Sequence, residues 1–377
     1  MRILHQQFQV NYQYPVYFGR GWLKPENHEL ANFLLNGSKQ QKTKVLVFVD
    51  GGVSTSNPDF ILQIEQYFQA QSDLFLVAMP FEIPGGEQIK DNQEAVDQVL
   101  TCVDDYGIDR QSYVLAIGGG AFLDAVGFAA SLAHRGVRLV RMPTTVLAQN
   151  DAGIGVKNGI NQFGKKNFTG NFAPPFAVFN DFELLNTLDD RHFKAGIAEA
   201  IKVALIKDAA FFAWLEQHAE DMLLRQNNAV EYMIEHCAAL HLEHIRSGDP
   251  FETGSSRPLD YGHWSAHKLE KLTSNQVLHG EAVAFGMAVD AQYAQAKGWL
   301  NPEDGNRILA LLQKFGFILQ LHKFTNSSMN ASELLLGLEE FREHLGGNLC
   351  ISMLTGIGSS QDVSEIDMEV MEEVLGA

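Results

Sequence analysis

Three histidines and a glutamate in the second half of the chain have the types and spacing of a divalent-metal site. His263 and His267 lie four residues apart and so share one face of a helix, and His279 opens the next apolar-rich stretch, HGEAVAFGM. Glu199 falls inside GIAEAIKVALI, where a carboxylate needs a metal or a cation beside it. Nitrogen and carboxylate ligands that leave one position open suit a catalytic zinc, because the open position can polarise a substrate oxygen. Lys202 follows Glu199 by three residues, on a neighbouring face. Taken singly, any of the 13 histidines reads as readily as a surface or capping residue, so the constellation carries the argument.

Two segments of the first half suggest phosphate. The run SYVLAI passes directly into Gly118, Gly119 and Gly120 and then into the helical pattern AFLDAVGFAASLA. Glycines at such a junction let a phosphate approach the backbone, and the helix's free amides stabilise its charge. The run is not GxGxxG, so a dinucleotide site and a plain tight turn both remain open on this signal. Further on, RMPTTVLAQNDAGIGVKNGINQFGKKNFTGNF is too long and polar for an ordinary connection. It carries Lys157, Lys165 and Lys166 among glycine and asparagine, in a chain of net charge -18. Cations on a glycine-rich loop suit a phosphorylated ligand, with a solvated basic loop as the alternative.

The elements that must position these residues change character along the chain. KVLVFVD (44–50), DLFLVAMP (73–80), SYVLAIGGG (112–120) and VRLVRMP (137–143) read as buried strands, with PDFILQIEQYFQAQ and NQEAVDQVLTCVDDYG as helices between them. That alternation is the pattern of a parallel sheet covered by helices. After a loop over 151–172 and one more extended run, PFAVFND, nearly everything from Arg191 onward has helical period. The expectation is an α/β domain over 1–178 and an all-α domain over 179–377, since 377 residues exceed what one core usually holds.

Composition narrows the partners. A net charge of -18 argues against nucleic acid and anionic membranes, which bind clustered lysine and arginine. Three widely spaced cysteines exclude a disulfide framework and suit a reducing compartment. The N-terminal stretch MRILHQQFQVNYQYPVYFG lacks a signal-peptide pattern, and no apolar run approaches the roughly 20 residues of a membrane span, so a cytoplasmic protein is expected.

In order, GGGAFLDAVGFAASLAHRG, MPTTVLAQNDAGIGVKNGIN, GKKNFTG, AEAIKVALIKD and LHGEAVAFGM resemble the signature segments of dehydroquinate synthases, over about 50–358. The resemblance implies an N-terminal NAD-binding α/β domain, a helical C-terminal metal-binding domain, a homodimer, and a zinc or cobalt ion held by Glu199, His263 and His279. It implies NAD contacts from Asp50, Glu87, Lys90, Gly119, Gly120, Asp124, Thr144, Thr145, Lys166 and Thr187. Contacts to a small phosphorylated sugar would come from Asp151, Lys157, Asn167, Lys202 and His267, with Arg135 reaching into the neighbouring subunit's phosphate site. The reaction implied is a transient oxidation by NAD, elimination of phosphate, return of the hydride, ring opening and aldol closure to a carbocycle, so NAD is a catalyst rather than a consumed substrate.

The chain departs from that family where the substrate carboxylate is held. Dehydroquinate synthases have LNxGH, whereas this chain has LDYGH with Asp260. The family's arginine and upstream lysine are matched here by Ser256 and Leu242, with Arg257 shifted by one, and its late paired lysines by Arg342 and His344. Two lost cations beside a new carboxylate disfavour a carboxylated substrate. The pattern, with Val156 replacing a glycine, resembles the branch of sugar-phosphate cyclases that acts on sedoheptulose 7-phosphate, the 2-epi-5-epi-valiolone synthase type. A divergent dehydroquinate synthase is the alternative within the class. A metal-dependent NAD polyol dehydrogenase is the alternative of another class, although those enzymes lack the GKKN segment and its lysines. A non-enzymatic binding protein would leave the whole ligand and cation set without a role.

Overall fold

The computed structural model describes residues 1–39, 42–247, 249–251, 258–324, 330–344, 347 and 349–376. The chain divides into two compact units, Met1–Pro143 with Val156–Asp181, and Thr144–Gly155 with Phe182–Ala377.

The first unit is an α/β layer structure. Its strands are β1 (Val16–Gly19), β2 (Thr43–Asp50), β3 (Leu74–Leu76), β4 (Phe81–Ile83), β5 (Tyr113–Gly118), β6 (Arg138–Pro143), β7 (Lys157–Gln162), β8 (Lys165–Phe172) and β9 (Ala177–Asp181). Helices α1 (Glu29–Gly37), α2 (Gly51–Ser56), α3 (Phe60–Ala70), α4 (Gln93–Asp105) and α5 (Gly120–Leu132) connect them. The main sheet runs β1-β9-β6-β5-β2-β3, with β4 continuing the pairing of β2, and each of these pairs is parallel. Val45 to Val49 and Tyr113 to Ile117 are buried without alternation, as expected of strands covered on both faces. Chain order reverses between β2 and β5, which makes the carboxyl ends of these two strands a topological switch point.

This unit departs from the sequence pattern at two places. DLFLVAMP supplies only the three-residue strand β3 before turning. The loop expected over 151–172 is largely an antiparallel ribbon of β7 and β8, turning at Phe163 and Gly164, both with positive φ (55° and 70°). Two left-handed residues between paired Gln162 and Lys165 make the tight hairpin whose twist matches its strands. Buried Arg141 of β6 fastens this ribbon, donating to the Lys157 carbonyl (3.1 Å) and to Asn158 Oδ1 (2.6 Å).

The second unit comprises α6 (Asp190–Lys207), α7 (Ala209–Gln217), α8 (Ala219–Leu223), α9 (Asn227–Arg246), α10 (His263–Leu272), α11 (His279–Ala296), α12 (Pro302–Lys314), α13 (Ala331–His344) and α14 (Met368–Leu375). It is the expected helical domain with one addition, an antiparallel hairpin of Ile351–Gly356 (β10) and Ser359–Val363 (β11), with Ile351, Met353 and Leu354 in the core. The division does not fall at 178. β9 completes the sheet as far as Asp181, while Thr144–Gly155 belongs to the second unit, where Asn150 Nδ2 donates to the Gly196 carbonyl of α6 (3.0 Å). Among the described residues no helix is long and apolar enough to cross a membrane.

Candidate active site

In the second unit, three helices bring one ligand-bearing side chain each to a common point. α6 contributes Glu199, α10 opens with His263 and α11 with His279, and their ligand atoms all lie within 4.8 Å of one another. α11 can approach because position 280 is glycine: a Cβ there would meet the Ala195 carbonyl oxygen of α6 at 1.9 Å. Gly286 is under the same constraint, since a Cβ on it would stand 1.9 Å from the Gly262 carbonyl oxygen, so the start of α10 lies on the middle of α11.

The surrounding contacts suit a divalent cation. The His263 Nδ1 lies 3.0 Å from the Tyr261 carbonyl, which can only accept, so Nδ1 carries the hydrogen and Nε2 is left for an ion. On His279, Nδ1 is 3.3 Å from Glu270 Oε1, while Nε2 is 3.8 Å from Glu199 Oε1. That Glu199 oxygen is buried and accepts no hydrogen bond from the described residues, an unsatisfied acceptor that a cation facing both imidazoles would satisfy. Burial, then the charges of Lys202, His279 and His267, push the His263 pKa well below its ordinary value, which keeps it in the neutral form that ligates.

Cations and carboxylates crowd around this triad. Lys202 is buried and ion-paired with Glu199 on the same helix. Burial alone would lower its pKa, but Glu199 and Asp151, with Asp260, raise it, so the ammonium is retained. Asp151 lies in the π-helical turn Ala148–Ala152, and its Oδ1 is 2.7 Å from His241 Nδ1 of α9. Burial works against its ionisation, but His241 first, then Lys202 and His263, hold it well below the usual carboxylate range. His267 joins the cluster, its ring centroid 5.4 Å from His263 and 6.0 Å from His279.

His241, Glu270 and Asp290 were not singled out by the sequence. The position matched to the family's upstream lysine was Leu242, and the structure places its neighbour His241 on Asp151 instead. Glu270, seven residues after His263 and therefore two turns along α10, had a detectable helical register. Fully buried Asp290 accepts from the Gly262 amide (3.0 Å) and Trp264 Nε1 (2.8 Å), bracing both flanks of His263. A lone aspartate three turns into an apolar helix was its only signal.

Other expected residues are placed less centrally. Arg342 stands exposed on α13, where it is 3.1 Å from Glu339 one turn back. The side chain of His344, and Ser256 and Arg257, lie outside the described residues. Thr145 Oγ1 accepts from the Ala148 amide (3.1 Å), Thr144 is buried, and exposed Thr187 donates to the Leu184 carbonyl (3.3 Å).

The first unit builds an anion cradle at its switch point. Gly119 starts α5 without a side-chain cap, so the amides of Gly120 and the first turn remain for a phosphate. Asp50, ending β2, accepts from the Gly52 amide (2.9 Å). A Cβ on Gly85 would fall 2.1 Å from the Asp50 Oδ1, so PGGEQIK passes directly against that carboxylate. Within the same unit Lys90 pairs with Asp124 (2.6 Å) and Lys166 with Glu87 (3.1 Å). Lys157 and Asn167 are exposed on β7 and β8, Asn167 with φ 50°. Arg135 is exposed after α5 with φ 63°.

Known proteins are similar to this chain in sequence and in fold. A family profile described as 3-dehydroquinate synthase N-terminal matches residues 80–195, and one described as 3-dehydroquinate synthase C-terminal matches 196–337. A 3-dehydroquinate synthase from Vibrio atlanticus (strain LGP32) is 32% identical over 96% of this chain and 95% of its own length. A 2-epi-valiolone synthase from Actinosynnema mirum is 36% identical over 75% of this chain and 74% of its own. Among solved structures, ValA (2-epi-5-epi-valiolone synthase) from Streptomyces hygroscopicus subsp. jinggangensis 5008, with NAD+ and Zn2+ bound, superposes with a TM-score of 0.88 at 28% identity, covering 99% of this chain and 98% of that one.

Proposed function

The chain belongs to the 3-dehydroquinate synthase family, and within it we propose an NAD- and divalent-metal-dependent sugar-phosphate cyclase whose substrate is an uncarboxylated ketose phosphate such as sedoheptulose 7-phosphate. One observation carries the choice of substrate: the position where the family's substrate pocket has Asn is Asp260, a carboxylate that acts together with Glu199 and Asp151 on the buried ammonium of Lys202, which is ion-paired with Glu199. Asp260 stands where the family has Asn, and Ser256 and Leu242 stand where it has cations, so a substrate carboxylate would lack its counter-charges. An unpaired carboxylate in such a site costs on the order of several kcal/mol.

Glu199, His263 and His279 would hold the ion, and Asp50, Gly119, Gly120 and the Glu87–Lys166 pair would hold the dinucleotide. When bound, the ion supplies Lewis acidity toward a substrate hydroxyl and NAD a hydride acceptor that later returns its hydride. The protein's own groups do the rest. The Asp151–His241 pair holds a proton between Oδ1 and Nδ1, close enough to Lys202 for that ammonium to stabilise an oxyanion formed when a hydroxyl loses its hydrogen. Lys157 and Asn167 offer exposed donors to the departing phosphate. In a cytoplasmic homodimer, exposed Arg135 would serve the phosphate of the second subunit.

The deciding experiment is phosphate release from purified protein with NAD and zinc or cobalt, each with a chelator control. Sedoheptulose 7-phosphate, the carboxylated heptulosonate of dehydroquinate synthase and glucose 6-phosphate are offered separately. Release from sedoheptulose 7-phosphate without net NADH is the expected result. Release from the heptulosonate alone would make this a dehydroquinate synthase with unusual carboxylate contacts, and net NADH from a polyol would make it a dehydrogenase.

A further inference from the structure

Arg141 is fully buried, 0% exposed, between Val140 and Met142 on β6, a strand paired on both sides by β5 and β9. A guanidinium taken out of water is costly unless its charge is answered and its donors are used. Burial works against the charge, and Asp124 of α5, then Tyr14, favour it. Its donors are turned on β7. Nη2 reaches the Lys157 carbonyl at 3.1 Å and Asn158 Oδ1 at 2.6 Å, the latter a short bond from a charged donor.

The surroundings of Asn158 fix its orientation. Its Nδ2 donates to the Ala173 carbonyl (3.1 Å), so Oδ1 faces Arg141, and a Cβ on Gly127 of α5 would fall 2.0 Å from that oxygen. Successive side chains of a strand point to opposite faces. With Asn158 drawn inward and buried, Lys157 is turned outward and exposed. The guanidinium thus grips the main chain of Lys157 and the side chain of the next residue, from the covered face of the ribbon. A lysine at 141 would keep the charge but offer a point donor in place of a planar fork.

We propose that Arg141 is a positioning residue: from beneath β7 it fixes the main chain that carries Lys157, and so sets where the Lys157 ammonium meets the phosphate group of the substrate. Arg141 has this role only if Lys157 is the phosphate contact read above, and the test keeps the two apart.

Inorganic phosphate is titrated by calorimetry into NAD- and zinc-loaded wild type, Lys157→Ala, Arg141→Lys and the double variant. Arg141→Lys should weaken phosphate binding by about tenfold or more, since small misplacements of a binding group are felt strongly. The double variant should bind no worse than Lys157→Ala, because positioning a side chain that is absent has no effect. Amide exchange should quicken over 157–162 and stay slow over 113–118. If Lys157→Ala binds weakly, then additive losses in the double variant, wild-type affinity in Arg141→Lys, or quickened exchange throughout the sheet overturn the positioning role and leave Lys157 a phosphate contact. Wild-type affinity in Lys157→Ala overturns the phosphate reading of that lysine, and the role of Arg141 with it. Should Arg141→Lys fail to fold, Asn158→Ala, which removes the 2.6 Å partner and keeps the guanidinium, must show the same Lys157-dependent loss, and its absence overturns the role.

Discussion

The carboxylate of Asp151 and the imidazole of His241 meet at 2.7 Å, Oδ1 to Nδ1, although 90 positions separate them in the chain. The π-helical turn that carries Asp151 and the long helix α9 that carries His241 belong to the same unit as Lys202 and His263, whose charges act on Asp151.

Replacing His241 by alanine removes the largest of the influences that keep Asp151 ionised. The expected result is a fall in kcat of about 10²-fold or more, the usual scale for a lost proton-transfer partner. Zinc affinity, measured by calorimetry, should be nearly unchanged. Equal losses in both would reduce the pair to scaffolding. The depressed Asp151 pKa also fixes the sign of a stability effect. The unfolded carboxyl takes up its proton first as pH falls, so the contribution is complete above pH of about 4 and declines below it. Denaturant melts of wild type and Asp151→Asn should therefore differ near neutrality and converge in acid.

Glu270 stands behind His279 and holds its Nδ1, as carboxylates behind metal-ligating histidines commonly do. Glu270→Gln should weaken zinc binding by about 10–100-fold, the usual range for such partners, with little change in melting temperature of the metal-free protein. Competition against a chromophoric chelator measures it, and wild-type affinity would refute the role.

Burial raises the Asp290 pKa to about 7, against the hydrogen bonds from Trp264 and Gly262 that favour its charged form. A raised acid pKa means that the folded state binds the proton more tightly than the unfolded state. Below pH of about 4 the group is protonated in both states and has no effect; stability then falls as pH rises toward 7 and levels off above it. The drop is on the order of a few kcal/mol. Asp290→Asn should lack this descent, which urea melts across pH 4 to 8 would reveal.

Converting LDYGH toward the family's pattern should change substrate preference. Asp260→Asn combined with Ser256→Arg removes a carboxylate near Lys202 and adds a cation, so kcat/KM for the carboxylated heptulosonate should rise by at least about tenfold, the equivalent of about 1.4 kcal/mol. Rapid turnover of that substrate by the unmodified protein would refute the altered-pocket argument.

Much of this was legible in the residues themselves. β2 and β5 carry continuous apolar runs, Val45 to Val49 and Tyr113 to Ile117, which burial on both faces of a sheet requires, and β6 is buried with them although it holds Arg141. Glu199, His263, His267 and His279 stood out together because a carboxylate in an apolar helix demands a partner and the histidine spacing offers one, and it was the family resemblance that chose Glu199, His263 and His279 among them as candidate ligands. The β7–β8 ribbon was not, because its burial is irregular and its polar composition matches that of a loop. Likewise β10–β11 follows a helical stretch and breaks its register at a bulge near Gly356.

The sequence by itself determined which residues carry charge or ligating nitrogen, their local helical spacing, and the alternation of strands and helices, because each depends on neighbours within a turn or two. Only the tertiary structure decided that His241 answers Asp151, that Glu270 stands behind His279, that Asp290 braces His263, and that Arg342 faces solvent. Those relationships depend on how closely helices approach, and that approach is set by backbone contacts such as Gly280 against Ala195. A contact between residues distant in sequence leaves no periodic trace in either segment; it exists only once packing has fixed where both segments lie.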